Sequence, residues 1–162
     1  MAKKTWVEKL HDSKDLPKVV ELAPNAAEHW GGHTMTVPAP LEVDTIMREV
    51  PEGKLITIAE IRQKIAKKHG SDIGCPLTCG IFSWISANAA EEEREILESQ
   101  GKDGSEGITP WWRTLKTGGF LSEKFPGYPD FQRKLLESEG HKIVRKGKKY
   151  LAQDYGQRLV KV

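Results

Sequence analysis

Two adjacent tryptophans are the most chemically distinctive residues of this sequence. Trp111 and Trp112 lie in the segment Pro-Trp-Trp-Arg-Thr-Leu, residues 110–115. An indole ring can stack on a nucleobase, but it can equally fill a hydrophobic core. Because adjacent residues of an extended segment point to opposite faces, we predict that one ring is buried and the other faces a binding surface or a pocket. Pocket lining and core packing stay open as alternatives for each ring.

The two cysteines are the only candidate nucleophilic thiols. Cys75 and Cys79 lie in Gly-Cys-Pro-Leu-Thr-Cys-Gly, and neither is next to a histidine. A thiolate can act as a nucleophile or a metal ligand, but one close pair is a poor disulfide framework. A zinc ion would need two further ligands, for which His69 is the only nearby candidate. We therefore expect two reduced, partly buried thiols, with no metal site and no cofactor.

Positive charge is concentrated in the C-terminal part of the chain. The net charge of the whole chain is only +2, yet residues 120–162 contain ten Lys or Arg against five Asp or Glu. Five of these cations fall within eight residues, where they can contact phosphate groups. A solvated basic surface is the alternative. These five are Lys142, Arg145, Lys146, Lys148 and Lys149.

The pattern of caps and apolar residues predicts a helix-turn-helix followed by a hairpin. Thr57 and Glu60 form a Thr-x-x-Glu capping box at the start of a helix that Gly70 ends. A short break leads to the next helix, which begins near Pro76. Two short strands around Gly147 then form the basic hairpin.

The second helix of this pair carries short polar side chains that could reach base edges or phosphates. A solvent-facing surface is the alternative for them. We predict that the inner face of the same helix consists of Leu77, Ile81, Trp84 or Ile85, and Asn88. The acidic run 91–95 after it either faces away from DNA or recruits a basic partner. The short polar residues are Thr78, Ser83, Ser86 and Asn88.

These elements predict a mainly α-helical fold with a small β component. We divide the chain into an irregular N-terminal extension (residues 1–39), a winged helix-turn-helix DNA-binding domain (residues 40–155) and a C-terminal tail (residues 156–162). Prolines and glycines punctuate the extension. The N-terminus has no apolar segment typical of a secretory signal, so we expect a cytoplasmic location.

Three segments, in the same order, resemble the DNA-binding domain of the alkylguanine-DNA alkyltransferase family. Residues 50–61, Val-Pro-Glu-Gly-Lys-Leu-Ile-Thr-Ile-Ala-Glu-Ile, resemble the family pattern Val-Pro-Tyr-Gly-Lys-Val-Thr-Thr-Tyr-Gly-Asp-Ile. Residues 110–115, followed by Gly-Gly-Phe-Leu, resemble its Pro-Cys-His-Arg-Val-Val and the later Gly-x-Leu. Residues 132–141 resemble the helix that ends in Glu-Gly. The resemblance covers about residues 40–152 and implies a winged helix-turn-helix.

The resemblance also implies that alkyl transfer has been lost. In that family a cysteine attacks the alkyl carbon of a flipped guanine, an adjacent histidine helps to form the thiolate, and a glutamate orients the histidine. Here Trp111 stands at the cysteine position, Trp112 at the histidine position and Glu139 at the glutamate position. Arg113 matches a largely structural arginine of the family. Alkyltransferase-like proteins also carry tryptophan in place of the cysteine, and they bind damaged bases without repairing them.

Two further departures concern base flipping. Ile58 matches the family's tyrosine, which meets the target phosphate and base, and Gly80 matches the arginine that fills the gap left by the flipped base. No arginine occurs between Arg62 and Arg94, so a small shift of the alignment restores none. Base flipping in the family's manner therefore lacks two of its residues.

Two functions from different classes follow from this sequence. The first is a non-enzymatic DNA-binding protein of the alkyltransferase-like type, acting in damage recognition or DNA repair on double-stranded, alkylated DNA, with a repair protein as a further partner. The second is a protein-interaction module that retains the winged helix but has lost DNA binding. For the first we predict a base pocket at Trp111, Trp112 and Arg113. The DNA-binding residues would be Thr57, Thr78, Ser83, Ser86, Lys142, Arg145, Lys146 and Lys148.

Overall fold

The computed structural model describes residues 4–162, which form helices and small sheets around one core. The helices are α1 (Trp6–His11), α2 (Pro24–Trp30), α3 (Pro40–Arg48), α4 (Ile58–His69), α5 (Pro76–Ser99) and α6 (Asp130–Ser138). The strands are β1 (Lys18–Glu21), β2 (Thr34–Val37), β3 (Ile56–Thr57), β4 (Ile73–Gly74), β5 (Thr114–Leu115), β6 (Ile143–Lys146) and β7 (Lys149–Ala152). The predicted mainly helical composition with small sheets is confirmed.

Helices α4 and α5 are joined by a short turn that contains β4. The backbone N–H of Thr57 donates a hydrogen bond to Oε1 of Glu60 at 2.8 Å, so the predicted capping box begins α4. Gly70 ends the helix with a φ of 70°, a left-handed conformation that glycine adopts readily. Ile61 and Ile65 are fully buried on the inner face of α4. The predicted start and end of α4 and the predicted start of α5 near Pro76 are therefore confirmed.

The inner face of α5 differs from the prediction. Leu77 was expected on the inner face, but it is 69% exposed. The buried face consists instead of small residues, which allow α1, α3 and α4 to pack closely against this central helix. Apolar periodicity missed it because serine and alanine carry little hydrophobic signal. The buried residues are Cys79, Ser83, Ser86, Ala87, Ala89 and Ala90.

The N-terminal residues are more regular than the sequence suggested. Strands β1 and β2 form an antiparallel pair, and β2 also runs parallel to β4, inside the turn between α4 and α5. Helix α1 packs against α5 and α3, and Leu10 is buried between them. The expectation of an irregular extension at residues 1–39 is therefore wrong for residues 4–39. The pairing partner of β2 lies almost 40 residues away, which local sequence patterns cannot indicate.

The C-terminal half completes the core with short elements. Residues 111–113 form a 3-10 turn rather than the predicted extended segment, and β5 then pairs in parallel with β3. Strands β6 and β7 form the predicted hairpin around Gly147. Residues 119–121 hydrogen-bond to β7, and Leu159 pairs with Leu55. No helix within residues 4–162 is both long and apolar enough to cross a membrane.

Candidate nucleic-acid interface

A surface cavity of about 460 Å³ lies where α4, α5 and the segment 115–125 meet. Ile58 of α4 contributes one part of the lining, and Pro76, Gly80 and Trp84 of α5 contribute another. Its volume is in the range of small-ligand sites, which is about 300–1,000 Å³. The remaining lining residues are Arg62, Ser83, Leu115, Lys116, Thr117, Ser122, Glu123, Lys124 and Phe125.

Trp111 lies in the core and has no exposed surface. Its Nε1–H donates a hydrogen bond to Oε2 of Glu91 at 2.8 Å, and its ring makes an edge contact with Phe125 at a centroid distance of 5.7 Å. Phe125 itself lines the cavity. Trp111 therefore offers no accessible ring face in this structure, and the cavity lies beside this residue rather than at it.

Trp112 and Arg113 share one carboxylate, that of Glu139. The Nε1–H of Trp112 donates to Oε2 of Glu139 at 2.7 Å, and Arg113 donates to both carboxylate oxygens at 2.9–3.1 Å. Burial opposes ionisation of Glu139, but these hydrogen bonds outweigh it and hold the pKa of the carboxyl below its ordinary value. Arg113 also donates to the carbonyl oxygen of Val50 at 2.7 Å. This cluster ties α6 to the 3-10 turn, so both residues have structural partners.

Both tryptophans are thus buried, contrary to the prediction that one faces a surface. Trp112 is 9% exposed, and its ring makes an edge contact with Trp111 at 6.0 Å. The reason is the 3-10 turn at residues 111–113, in which adjacent side chains need not point to opposite faces as they do in a strand. No periodicity rule identifies so short a turn.

The predicted polar contacts on α4 and α5 are mostly inside the molecule. Ser86 is fully buried, and its hydroxyl donates to Oδ1 of Asp44 on α3. Ser86 is therefore a core residue and cannot reach DNA in this structure. Ser83 and Thr57 are each 2% exposed, although Ser83 reaches the cavity lining. Thr78 is partly exposed, with a buried hydroxyl that lacks a partner among residues 4–162.

The cations of the hairpin are all exposed. None of the five has a carboxylate oxygen within 4 Å in the part of the chain that the structure describes. The backbone N–H of Leu121 donates to the carbonyl of Tyr150 at 2.9 Å, which joins β7 to the segment that lines the cavity. The hairpin is therefore attached by backbone hydrogen bonds to the segment that lines the cavity. The five residues are Lys142, Arg145, Lys146, Lys148 and Lys149.

Sequence reasoning missed the cations beside the cavity itself. Arg62, Lys116 and Lys124 line it, and only Lys116 has a carboxylate partner among residues 4–162, Glu123 at 3.3 Å. Lys124 places its Nζ 5.7 Å from the ring centroid of Trp84. Arg62 comes from α4, whereas Lys116 and Lys124 come from the segment 115–125, so no spacing in the sequence could have grouped all three. The cavity lining therefore carries three cations against one carboxylate, that of Glu123.

Neither cysteine lies at the cavity. Both thiols are buried, and Cys75 accepts a hydrogen bond from the backbone N–H of Thr78 at 3.5 Å. Burial, together with the neighbouring thiol, raises the pKa of Cys79 to about 12. A protonated, buried thiol is a poor nucleophile. Within residues 4–162, no group of three or more His, Cys, Asp or Glu side chains is placed to hold a metal ion.

The acidic run 91–95 has internal partners. Glu91 accepts hydrogen bonds from Trp111 and Arg94, and Glu92 accepts from the backbone N–H groups of Trp6 and Val7 at 3.0 and 3.3 Å. Two of its four carboxylates are therefore used to fix the core and to cap α1. This arrangement differs from the free acidic surface that a basic partner would need.

No family model and no curated protein matches the sequence. Among solved structures, the fold is similar to that of Atl1 from S. pombe in complex with damaged DNA containing O6-carboxymethylguanine, at 19% identity and a TM-score of 0.47. It is also similar to S. pombe ATL in complex with DNA, at 19% identity and a TM-score of 0.49. Each match covers 76% of this chain and 94% of the other.

Proposed function

We propose that this chain is a non-enzymatic DNA-binding protein that recognises damaged bases in double-stranded DNA. In this proposal α4 and α5 form the helix-turn-helix of a winged helix, the hairpin β6–β7 is its wing, and the cavity between α5 and the segment 115–125 receives the base. The observation that carries the proposal is a base-sized cavity lined by three cations, only one of which has a carboxylate partner within residues 4–162. The hairpin adds five exposed cations that have no carboxylate partner in the same range.

Charge and shape have different roles in this interface. The exposed hairpin cations contact phosphates, which position the protein but carry no information about sequence or damage. The cavity has an apolar lining from Ile58, Leu115 and Phe125, with hydroxyl and ammonium groups around it. An apolar slot with a polar rim suits a flat heterocycle that has been turned out of the duplex. Affinity therefore depends mainly on the hairpin, and selectivity depends on the cavity.

We propose a non-enzymatic function because no residue among 4–162 supplies the chemistry of alkyl transfer at the cavity. Trp111 stands at the acceptor position of the resembling family, and an indole ring forms no thioether. Trp112 stands at the histidine position, and its Nε1–H donates a hydrogen bond to Glu139. What remains is binding, which can mark a damaged base for another repair protein.

Titrations with a pair of duplexes test this function. The two duplexes are identical except that one contains O6-methylguanine in place of a guanine, and each is titrated between about 50 and 200 mM salt. We expect tighter binding to the methylated duplex and a linear fall of log K with log salt, with a slope of about −0.9 for each phosphate contacted. Absence of binding, or binding that does not respond to salt, would contradict the proposal.

Two hairpin variants separate affinity from selectivity. Lys146→Ala and Lys148→Ala should weaken binding to both duplexes by the same factor, and each should reduce the salt slope by about 1. Lys102→Ala is the matched control, because Lys102 is an exposed cation in the loop after α5, outside the hairpin and the cavity lining. An unchanged salt slope in both hairpin variants would show that the hairpin is not the phosphate-binding element.

A further inference from the structure

Helix α5 presents one aromatic ring to the cavity. Trp84 is partly exposed and lines it, one helical turn after Gly80. Gly80 contributes no side chain, and a Cβ atom built on it would meet no other atom within 4 Å. The space beside the Trp84 ring is therefore open at this turn of α5.

The other four tryptophans are not available to a ligand in the cavity. Trp111 is fully buried and Trp112 is hydrogen-bonded to Glu139, while Trp6 and Trp30 belong to α1 and α2, outside the cavity lining. Among the residues that line the cavity, Trp84 and Phe125 carry the aromatic rings on which a base could stack, and Phe125 is only 5% exposed. Trp84 offers the larger accessible ring.

We propose that Trp84, rather than Trp111, is the residue that stacks on the base in this cavity. The inference rests on the proposed DNA-binding function. It assigns base stacking to Trp84, whereas the family resemblance indicates Trp111. Base stacking on an aromatic ring tolerates any base, since every base has a π-face. Damage selectivity then comes from how easily a damaged base leaves the duplex, because a poorly paired base costs less to turn out.

Lys124 is the group that a base would displace. Its ammonium lies 5.7 Å from the Trp84 ring centroid, and the residue is exposed. A cation–π contact at an exposed site is weaker than the stacking of a whole base. The base therefore replaces the ammonium over the ring, and the freed ammonium can contact a phosphate of the turned-out nucleotide.

The test uses the full chain and a duplex that carries 2-aminopurine, whose fluorescence rises when it leaves the base stack and is quenched when it stacks on an aromatic ring. We compare the wild-type protein with Trp84→Ala and Trp84→Phe at saturating protein. Trp84→Ala should give several-fold brighter 2-aminopurine emission than the wild type. It should also reduce the preference for the methylated duplex by about 5- to 100-fold. Trp84→Phe should keep most of the quenching.

Controls separate this inference from the function on which it rests. Trp30→Ala changes an exposed tryptophan of α2 and should leave both readouts unchanged. A circular-dichroism spectrum and a urea denaturation midpoint of Trp84→Ala that match those of the wild type show that the variant is folded. Equal emission from the wild-type and Trp84→Ala complexes would refute stacking on Trp84 while DNA binding stands. If the wild-type protein binds neither duplex, the proposed function fails and the inference fails with it.

Discussion

Trp111, which the sequence resemblance aligns with a reactive cysteine, is a structural residue in this protein. Its ring touches Trp112, Phe125 and Phe131 at centroid distances of 5.7–6.0 Å, and its only polar atom is bonded to Glu91. A fully buried indole with a satisfied N–H contributes both apolar burial and packing. The residue that the sequence marks as a candidate for base contact therefore holds the core together.

We expect Trp111→Ala to lower the free energy of unfolding by about 3–5 kcal/mol, because it opens a large cavity and removes one of the two side chains that donate hydrogen bonds to Glu91. Urea denaturation followed by circular dichroism measures the change. Trp30→Ala, at an exposed position of α2, should stay within about 0.5 kcal/mol of the wild type. A normal denaturation midpoint for Trp111→Ala would place this ring outside the core.

We expect no transfer of alkyl groups to the protein. Trp111 and Trp112 replace the nucleophile and base of the resembling family, and the pKa of about 12 keeps the Cys79 thiol protonated at neutral pH. Incubation with O6-methylguanine duplex followed by intact mass spectrometry is the measurement. A gain of one methyl group on Cys75 or Cys79 would overturn the non-enzymatic assignment.

Glu139 should make stability depend on acid pH. Its pKa is lower in the folded protein than its ordinary value of 4.5, because the hydrogen bonds from Arg113 and Trp112 outweigh its burial. Its contribution to the free energy of unfolding is thus complete above about pH 4.5 and is lost as the pH falls through the folded pKa. At pH 7, Glu139→Gln should cost about 3–5 kcal/mol by leaving Arg113 unpaired.

Urea denaturation of Glu139→Gln and the wild type at several pH values checks this dependence. The difference between the two proteins should shrink as the pH falls below 4.5. Glu137→Gln is the matched control, since Glu137 is on the same helix but half exposed in an ion pair with Arg133. A difference that stayed constant between pH 7 and pH 3 would show that the ionised form of Glu139 is not what stabilises the cluster.

At the scale of helices and strands, the sequence predicted the caps and turns that depend on residues close to one another in the chain. The capping box at Thr57, the left-handed glycine at Gly70 and the hairpin turn at Gly147 each depend on residues within a few positions of one another. The inner face of α5 could not be predicted, because the small residues Ser83 and Ser86 are buried by their fit against other helices rather than by their hydrophobicity. The prominent apolar Leu77 was consequently placed on the wrong face.

The N-terminal turns of α5 offer a way to restore an interaction that the resembling family has. Gly80 stands where that family carries an arginine, and the space around its Cα is open. We expect Gly80→Arg to bind duplex DNA more tightly, with a salt slope steeper by up to about 0.9 for the added phosphate contact. Gly80→Ala is the control, because it improves helix propensity by about 1 kcal/mol without adding charge. If both variants bind equally, α5 does not face DNA at this turn.

At the scale of the whole molecule, the candidate interface is assembled from parts that are distant in sequence. Ile58 on α4, Trp84 on α5 and Lys124 in the loop before α6 meet only after the core has formed. The sequence indicated the hairpin charges, because they are contiguous, but it could not show that Arg62, Lys116 and Lys124 surround one cavity. The contacts of residues 4–39 with α5 and β4 could not be predicted for the same reason, since they are long-range.

The N-terminal segment should therefore be required for the stability of residues 40–155, the proposed DNA-binding part. Glu92 of α5 accepts hydrogen bonds from the first turn of α1, and Thr36 of β2 accepts one from the backbone N–H of Cys75 at 2.9 Å. Removing residues 1–39 exposes the surface of α5 that Leu10 covers, at a cost of about 2 kcal/mol for that side chain alone. We expect the truncated chain to unfold at a lower urea concentration than the full chain, which should unfold in one transition.

A point variant tests the same coupling without shortening the chain. Glu92→Gln weakens the cap of α1 and should cost about 1 kcal/mol, whereas Glu95→Gln, exposed in the same acidic run, should cost almost nothing. Hydrogen exchange of the β2 amides adds a local measurement, because those amides should be as well protected as the ones in α5 if the parts unfold together. Full protection of α5 in the truncated chain would show instead that residues 1–39 are a separable extension.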